Sequence, residues 1–242
     1  MKKSGGDQYE FSAIGIIESC FKQKFAIPRQ SGLVPQAQAK LILNPQYNHL
    51  EVVRGLEQYS HLWILFVFHQ SLSNKRKLTV RPPRLGGKEK LGVFATRSNF
   101  RPNPIGQSVV KLDSIENQNN NIILNLSGVD ILHNSPVIDI KPYLPYSDCV
   151  ANAKAGIAHL PPEKEFSVTF SEIASKQLED ATARHGTDIA AFISELLAYD
   201  PRPAFYDEDS DTGVYASKIL DFDLKWQITD KKVTVLELKV FN

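Results

Sequence analysis

The run Leu62-Trp63-Ile64-Leu65-Phe66-Val67-Phe68 constrains the fold more than any other stretch of this chain. It is far too short to span a bilayer, and its β-branched and aromatic residues favour a strand over a helical segment. With no polar face, it predicts a strand buried on both sides, which requires neighbours in a sheet. Phe11–Ile17, Lys40–Leu43, Gly92–Thr96, Ser108–Leu112, Ile122–Leu126 and Val137–Ile140 read as those neighbours by apolar runs and alternation. Many short strands with few helices predict a closed or nearly closed barrel, because closure removes exposed edges.

Between the strands, Val53–Tyr59 reads as a short helical turn and Asn117–Asn121 as a hairpin loop. Pro82, Pro83, Pro102 and Pro104 forbid regular helix in Arg81–Gly87 and Arg101–Gly106, which become stiff loops at strand ends. The composition then changes. Residues 151–163, ending beside Pro161-Pro162, read as a linker. Beyond it come a strand (Glu165–Phe170) and a helix (Ser171–Arg184) with Ile173, Leu178 and Ala181 inward. A second helix (Asp188–Ala198) carries Ile189, Phe192, Ile193, Leu196 and Leu197 at helical spacing, and Asp200-Pro201-Arg202-Pro203 stops it. Leu220–Ile228 and Val233–Val240 alternate like an antiparallel pair. The expected fold class is therefore mainly β: a small β-barrel domain over 1–150, a linker over 151–163, and a small α+β domain over 164–242.

The formal net charge of +1 says little, but its distribution is uneven. Lys75, Arg76, Lys77, Arg81, Arg84, Lys88, Lys90, Arg97 and Arg101 meet one acid, Glu89, so this segment carries a net +8. Glu195 to Asp223 carries a net −6. A concentrated basic segment is the electrostatic footprint of a polyanion partner, or else a solvated loop. Cys20 and Cys149 are too few and too far apart for a disulfide framework or metal motif, so a reducing, cytoplasmic setting is expected. The polar N-terminus has no apolar segment of secretory type, and no membrane partner is expected. The six histidines show no H-E-x-x-H or paired spacing, so no metal is predicted. G-x-G-x-x-G, P-loop and G-x-S-x-G motifs are absent, which removes support for dinucleotide, kinase and hydrolase readings.

Three segments are more specific: Glu51 through His69; Arg81-Pro82-Pro83-Arg84-Leu85-Gly86-Gly87 with Gly92–Ser98 and Arg101-Pro102-Asn103-Pro104-Ile105-Gly106; and Pro136-Val137-Ile138-Asp139-Ile140-Lys141-Pro142-Tyr143. With Phe25–Gln30 and Asp200–Ala204, they resemble, over nearly the whole chain, the TsaA-like family of tRNA N6-methyltransferases. That family methylates threonylcarbamoyladenosine at position 37, beside the anticodon. The resemblance implies a β-barrel that binds S-adenosylmethionine, a C-terminal domain, a homodimer, and the tRNA anticodon loop as substrate. It places cofactor contacts on Pro28, Arg29, Gln30, His69, Gln70, Arg97, Ile105, Asp130, Ile131, Leu132 and His133. The family commonly reads Asp-Gly-Thr-Pro where this chain has His133-Asn134-Ser135-Pro136, which leaves the turn geometry open.

Methyl transfer from a sulfonium needs alignment and exclusion of water more than a strong acid. The N6 nitrogen is poorly basic, so a base that takes its proton helps. Asp139 is the first choice, since Lys141 and Tyr143 alternate with it on one strand face; Asp130 and His133 are the alternatives. Asp139 in a structural ion pair with an arginine of the basic loop is the competing reading. Arg84, Arg97 and Arg101 sit on stiff loops where a planar guanidinium suits the threonine carboxylate of the substrate; Arg84 and Arg101 are the substrate-binding candidates. Trp63 and Phe66 are expected in the core, His61 in a structural role, and Tyr143 and Phe100 as stacking surfaces. Two other functions fit parts of the pattern: a non-catalytic RNA-binding barrel, and a methyltransferase acting on a small molecule.

Overall fold

The computed structural model describes residues 9–72, 77–86, 88–200, 202 and 213–241. Lys75, Arg76 and most of the acidic stretch after Asp200 lie outside them. The first eight strands are β1 (Gly15–Ser19), β2 (Gln38–Leu43), β3 (His61–Val67), β4 (Thr79–Val80), β5 (Leu91–Gly92), β6 (Ile105–Gln118), β7 (Asn121–Ser127) and β8 (Ser135–Pro142). Six of them close a barrel in the order β1-β2-β7-β6-β3-β8, and every neighbouring pair is antiparallel. β4 and β5 form a separate two-stranded ribbon in the basic segment.

Alternation decides what fills the barrel. Leu62, Ile64 and Phe66 of β3 point inward with Leu41, Leu124, Leu126, Val110 and Val137. Full burial of each such side chain contributes roughly 1.5–3 kcal/mol. The sequence expectation of a β3 buried on both faces needs correction. Trp63, Leu65 and Val67 alternate outward and are half-buried. That outer face is apolar because Tyr143 and the site described below cover part of it, not because a second sheet lies there.

Other expectations also shift. Gly92–Thr96 is not a strand. Pairing stops at Gly92, and Val93–Ala95 turns into a single 3-10 turn. The helical turn before β3 is real but split into a short helix α1 (Leu50–Val53) and a 3-10 turn, Leu56–Gln58, separated by Gly55 at φ 85°. The β6–β7 hairpin turns on Asn119 and Asn120 with φ of 50° and 61°, the sign that a two-residue turn of this hand requires.

After a short helix α2 (Pro145–Asp148) and the linker, β9 (Ser167–Phe170), α3 (Glu172–His185), α4 (Ile189–Ala198), β10 (Val214–Ile219), β11 (Phe222–Thr229) and β12 (Lys232–Val240) form the second unit. Its sheet runs β10-β11-β12-β9, with only β12 and β9 parallel. Ser171 Oγ accepts from the Ala174 N–H, and Asp188 Oδ1 from the Ala191 N–H, which caps both helices. Ala174, rather than Ile173, faces inward on α3; Ile173 is 61% exposed. β10 was not anticipated, because its outward Val214, Ala216 and Lys218 blur the alternation. The two units share one continuous apolar core, with Phe21 at the junction against Phe192 of α4.

Candidate active site

One open cleft of 2190 Å³ runs along the barrel rim. Its walls come from the loop after β1, the segment following β3, the basic loop up to the start of β6, the segment between β7 and β8, and the linker. Polar bonds knit these walls. Ser71 Oγ accepts from Asn99 Nδ2 at 2.8 Å and from Lys24 Nζ at 3.2 Å. The Phe68 N–H donates to Pro104 O at 2.8 Å. Arg101 Nη1 donates to Thr96 O at 3.1 Å and weakly to Ser98 O, which draws the proline-stiffened loop into a closed turn. Arg101, expected as a substrate contact, therefore spends part of its guanidinium on its own loop.

Arg29, His69 and Arg97 share this cleft, together with Pro28, Gln30, Gln70, Ile105, Asp130, Leu132, Arg84 and Arg101. Gln30 Oε1 accepts from Arg97 Nη1, so the loop after β1 meets the basic loop directly. Among the described residues neither Arg29 nor Arg97 has an ion-pair partner. Arg84 donates to the Leu160 carbonyl, tying the basic loop to the linker.

Asp130 is half-buried and accepts from Ser108 Oγ at 2.6 Å. Loss of water around it pushes its carboxyl above the ordinary value, an effect that the Ser108 hydrogen bond and Arg97 only partly offset. His69 Nδ1 lies 3.3 Å from Ser135 Oγ, and burial, aided by Lys24, lowers its pKa. In both groups the loss of water shifts the balance toward the neutral form.

Ile131 and His133 do not line it. Ile131 is fully buried in the core. His133 Nδ1 faces both the Ser19 N–H and Lys22 Nζ at 3.2 Å, so it must be the unprotonated acceptor, with the neutral ring's proton on Nε2. Burial and the Lys22 charge lower its pKa. The turn geometry is settled here: Asn134 adopts φ 61°, the left-handed region that asparagine tolerates better than most residues.

Asp139, Lys141 and Tyr143 lie on the outer face of β8 and just beyond its end, outside the cleft lining. Asp139 pairs with Lys141 at 2.7 Å, and among the described residues not with an arginine of the basic loop. Tyr143 packs against Trp63 at 5.8 Å between ring centroids and against His61 at 6.5 Å. Trp63, expected in the core, instead lines the cleft and donates its indole N–H to Asp148 Oδ2 at 2.9 Å. Phe66 is both, 4% exposed and at the cleft floor. Phe100 carries Lys77 Nζ 4.1 Å over its ring, so its face is partly taken.

Sequence reasoning missed Lys24, Ser108, Ser135 and the linker residues 155–162 as parts of the site. Ser108 and Ser135 could have been suspected as polar residues inside strands whose other inward positions are apolar. The linker gave no such signal.

Residues 16–149 match the family model of the tRNA-methyltransferase O N-terminal domain, and residues 163–241 match that of the TrmO C-terminal domain. The chain is 46% identical over 231 residues to the tRNA (adenine(37)-N6)-methyltransferase of Escherichia coli, covering 96% of this chain and 98% of that protein. It is 49% identical over 218 residues to a Pseudomonas aeruginosa protein, RcsF, named provisionally as an S-adenosylmethionine-dependent methyltransferase; this covers 90% of the chain and 92% of the relative. The crystal structure of TrmO from Pseudomonas aeruginosa superposes with a TM-score of 0.80 at 40% identity, over 99% of this chain and all of that one.

Proposed function

The chain belongs to the tRNA-methyltransferase O family, and from that membership we propose that it transfers a methyl group from S-adenosylmethionine to N6 of adenosine 37 in tRNA, on a base already carrying the threonylcarbamoyl group. The observation that supports this reading best is the convergence of Arg29, His69 and Arg97 on one cleft. The donor set suits the cofactor. Two guanidinium groups without acidic partners match a carboxylate, while Phe68, Leu132 and Ile105 offer apolar surface for a purine. Pro28, Arg29, Gln30, His69, Gln70, Arg97 and Ile105 would hold it, with Asp130 and Leu132 beyond them and Ile131 and His133 shaping the turn behind. S-adenosylmethionine, when bound, supplies a methyl carbon made electrophilic by the sulfonium.

The protein's own residues then have three tasks. The first is to orient the base: Arg84 and Arg101 face the cleft and complement the anionic substituent and phosphates. The second is to accept the N6 proton. Asp130 lines the cleft and its raised pKa suits it to hold that proton. The third is support from behind, where Tyr143 packs on the Trp63 indole that lines the cleft and the Asp139–Lys141 pair lies on the same outer face of β8.

We place the boundary between a barrel domain (1–150) and a C-terminal domain (164–242) in the linker. The protein is proposed to act as a cytoplasmic homodimer that needs no metal. Its free cysteines suit a reducing compartment, and among the described residues no helix is long and apolar enough to cross a membrane. The test is incubation with labelled S-adenosylmethionine and tRNA that has or lacks the threonylcarbamoyl group. Label confined to the modified tRNA is expected. Cofactor binding without RNA labelling would point to a small-molecule methyltransferase, and no cofactor binding to an RNA-binding barrel.

A further inference from the structure

The loop from Lys22 to Gln30 leaves the barrel, touches the second unit, and returns to the cleft. As the chain exits β1 it runs along the free edge of β10. The Leu220 N–H donates to Cys20 O at 2.7 Å, the Lys22 N–H donates to Lys218 O at 3.2 Å, and Phe21 bridges to Ile219. Three residues of the barrel unit thus extend the other unit's sheet. Among the described residues, no backbone-to-backbone hydrogen bond then joins residues 23–31 to the rest of the protein, until the Gly32 N–H reaches Gly128 O at 2.8 Å.

Side chains hold the middle of that span: Lys24 Nζ donates to Gln70 O and Ser71 Oγ, and next to it lies an aromatic stack. Tyr215 and Trp226 are cross-strand partners on β10 and β11, with ring centroids 6.0 Å apart and planes 24° apart. The Phe25 ring stacks on both: 5.7 Å and 13° from Trp226, 6.4 Å and 25° from Tyr215. Trp226 is wholly buried, whereas Phe25 is only half-buried, so the contact is a latch on a fixed platform. The next residue, Ala26, is held at φ 66°, a conformation an L-residue keeps only when its surroundings impose it. Pro28, Arg29 and Gln30 follow at once, and Gln30 accepts from Arg97.

We infer that the C-terminal unit positions the cofactor loop: Trp226 and Tyr215 clamp Phe25, and this fixes Arg29 and Gln30 against Arg97. Phe25, Tyr215 and Trp226 are positioning residues that touch neither cofactor nor substrate. The inference rests on the reading of Pro28, Arg29 and Gln30 as cofactor contacts. It gives the second unit a role that its acidic charge alone does not suggest.

The test uses the full chain with Phe25→Leu, Phe25→Tyr and Trp226→Phe. An aromatic contact of this kind is worth up to about a factor of ten in an equilibrium constant. Phe25→Leu is expected to raise the KM for S-adenosylmethionine up to about that much while kcat stays within about twofold. Trypsin should also cut after Arg29 faster in the cofactor-free variant, well below its melting temperature. Phe25→Tyr and Trp226→Phe, which keep a ring, should return both readouts close to the parent. Unchanged KM and cleavage in Phe25→Leu would overturn the inference, as would a loss of kcat that merely follows a lowered melting temperature. If the parent fails to bind S-adenosylmethionine by calorimetry, the assigned function fails, and the cleavage experiment alone decides whether the clamp holds the loop.

Discussion

The Ser108 hydroxyl donates to the Asp130 carboxylate at 2.6 Å, joining the strand that opens the cleft to the segment that follows β7. This bond and those from the Asp130 and Ser31 backbone do not replace the water that a carboxylate loses on burial, which is why the Asp130 pKa rises. The site holds a carboxyl group that folding itself does not favour in its charged form.

Asp130→Asn should therefore stabilise the fold at neutral pH and impair methyl transfer. With a folded pKa above the ordinary 3.8, the group's contribution to stability is fully present below that value and lost as pH rises through the folded one. Asparagine keeps the size and the acceptor for Ser108 without the charge. Melting curves at several pH values should show the variant's advantage at neutral pH shrinking toward pH 4. An advantage independent of pH would show that the carboxylate is not strained.

His133→Asp replaces the imidazole that faces Lys22 with a carboxylate. The folded pKa of His133 lies below 6.5, so the stability supplied by the neutral ring is full above 6.5 and lost as pH falls through the folded value. An aspartate facing Lys22 stays ionised across that window. Urea titrations of parent and variant should show the parent losing more stability on acidification below 6.5. Parallel losses would assign the effect to another group, His69 first.

Gly106 has a packing role. A Cβ there would lie 2.3 Å from Phe66 Cζ, with two more ring atoms within 2.7 Å. Phe66 cannot easily move, since it is buried and packs edge-on against Phe68 at 5.1 Å. Gly106→Ala should cost about 1–3 kcal/mol in urea unfolding. Phe66→Leu in the same chain should recover part of that cost, and strict additivity of the two changes would contradict the steric explanation.

Much of the barrel was legible because its inward positions alternate. Leu62, Ile64 and Phe66 announce β3, and Ile122, Leu124 and Leu126 announce β7. Alternation could not tell that Trp63 faces the site, since an apolar outer face looks like a second buried face. Arg29, His69 and Arg97 were found through a resemblance between motifs, and no local pattern would have joined residues so far apart in sequence. Asp139, Lys141 and Tyr143 show the reverse limit. Strand periodicity put them correctly on one face but could not say that this face lies outside the cleft lining. The Phe25–Trp226 contact was beyond reach, because it depends on how two separately folded sheets meet.

Arg97 offers the sharpest test of the site. Its side chain is exposed, its hydrogen bond runs to Gln30, and among the described residues no acid forms an ion pair with it. Removing it should leave folding nearly intact, since exposed polar side chains contribute little to stability. Its charge lies where a carboxylate and a reacting base are proposed to meet, and loss of one well-placed donor there costs on the order of a hundredfold or more in rate. Arg97→Ala should thus melt like the parent while transfer to tRNA falls at least that far. Arg97→Lys should recover only part of it, because lysine keeps the charge but not the planar fork that can bridge Gln30 and an anionic group at once. Normal turnover in Arg97→Ala would remove Arg97 from the site, and full recovery in Arg97→Lys would reduce its role to charge alone.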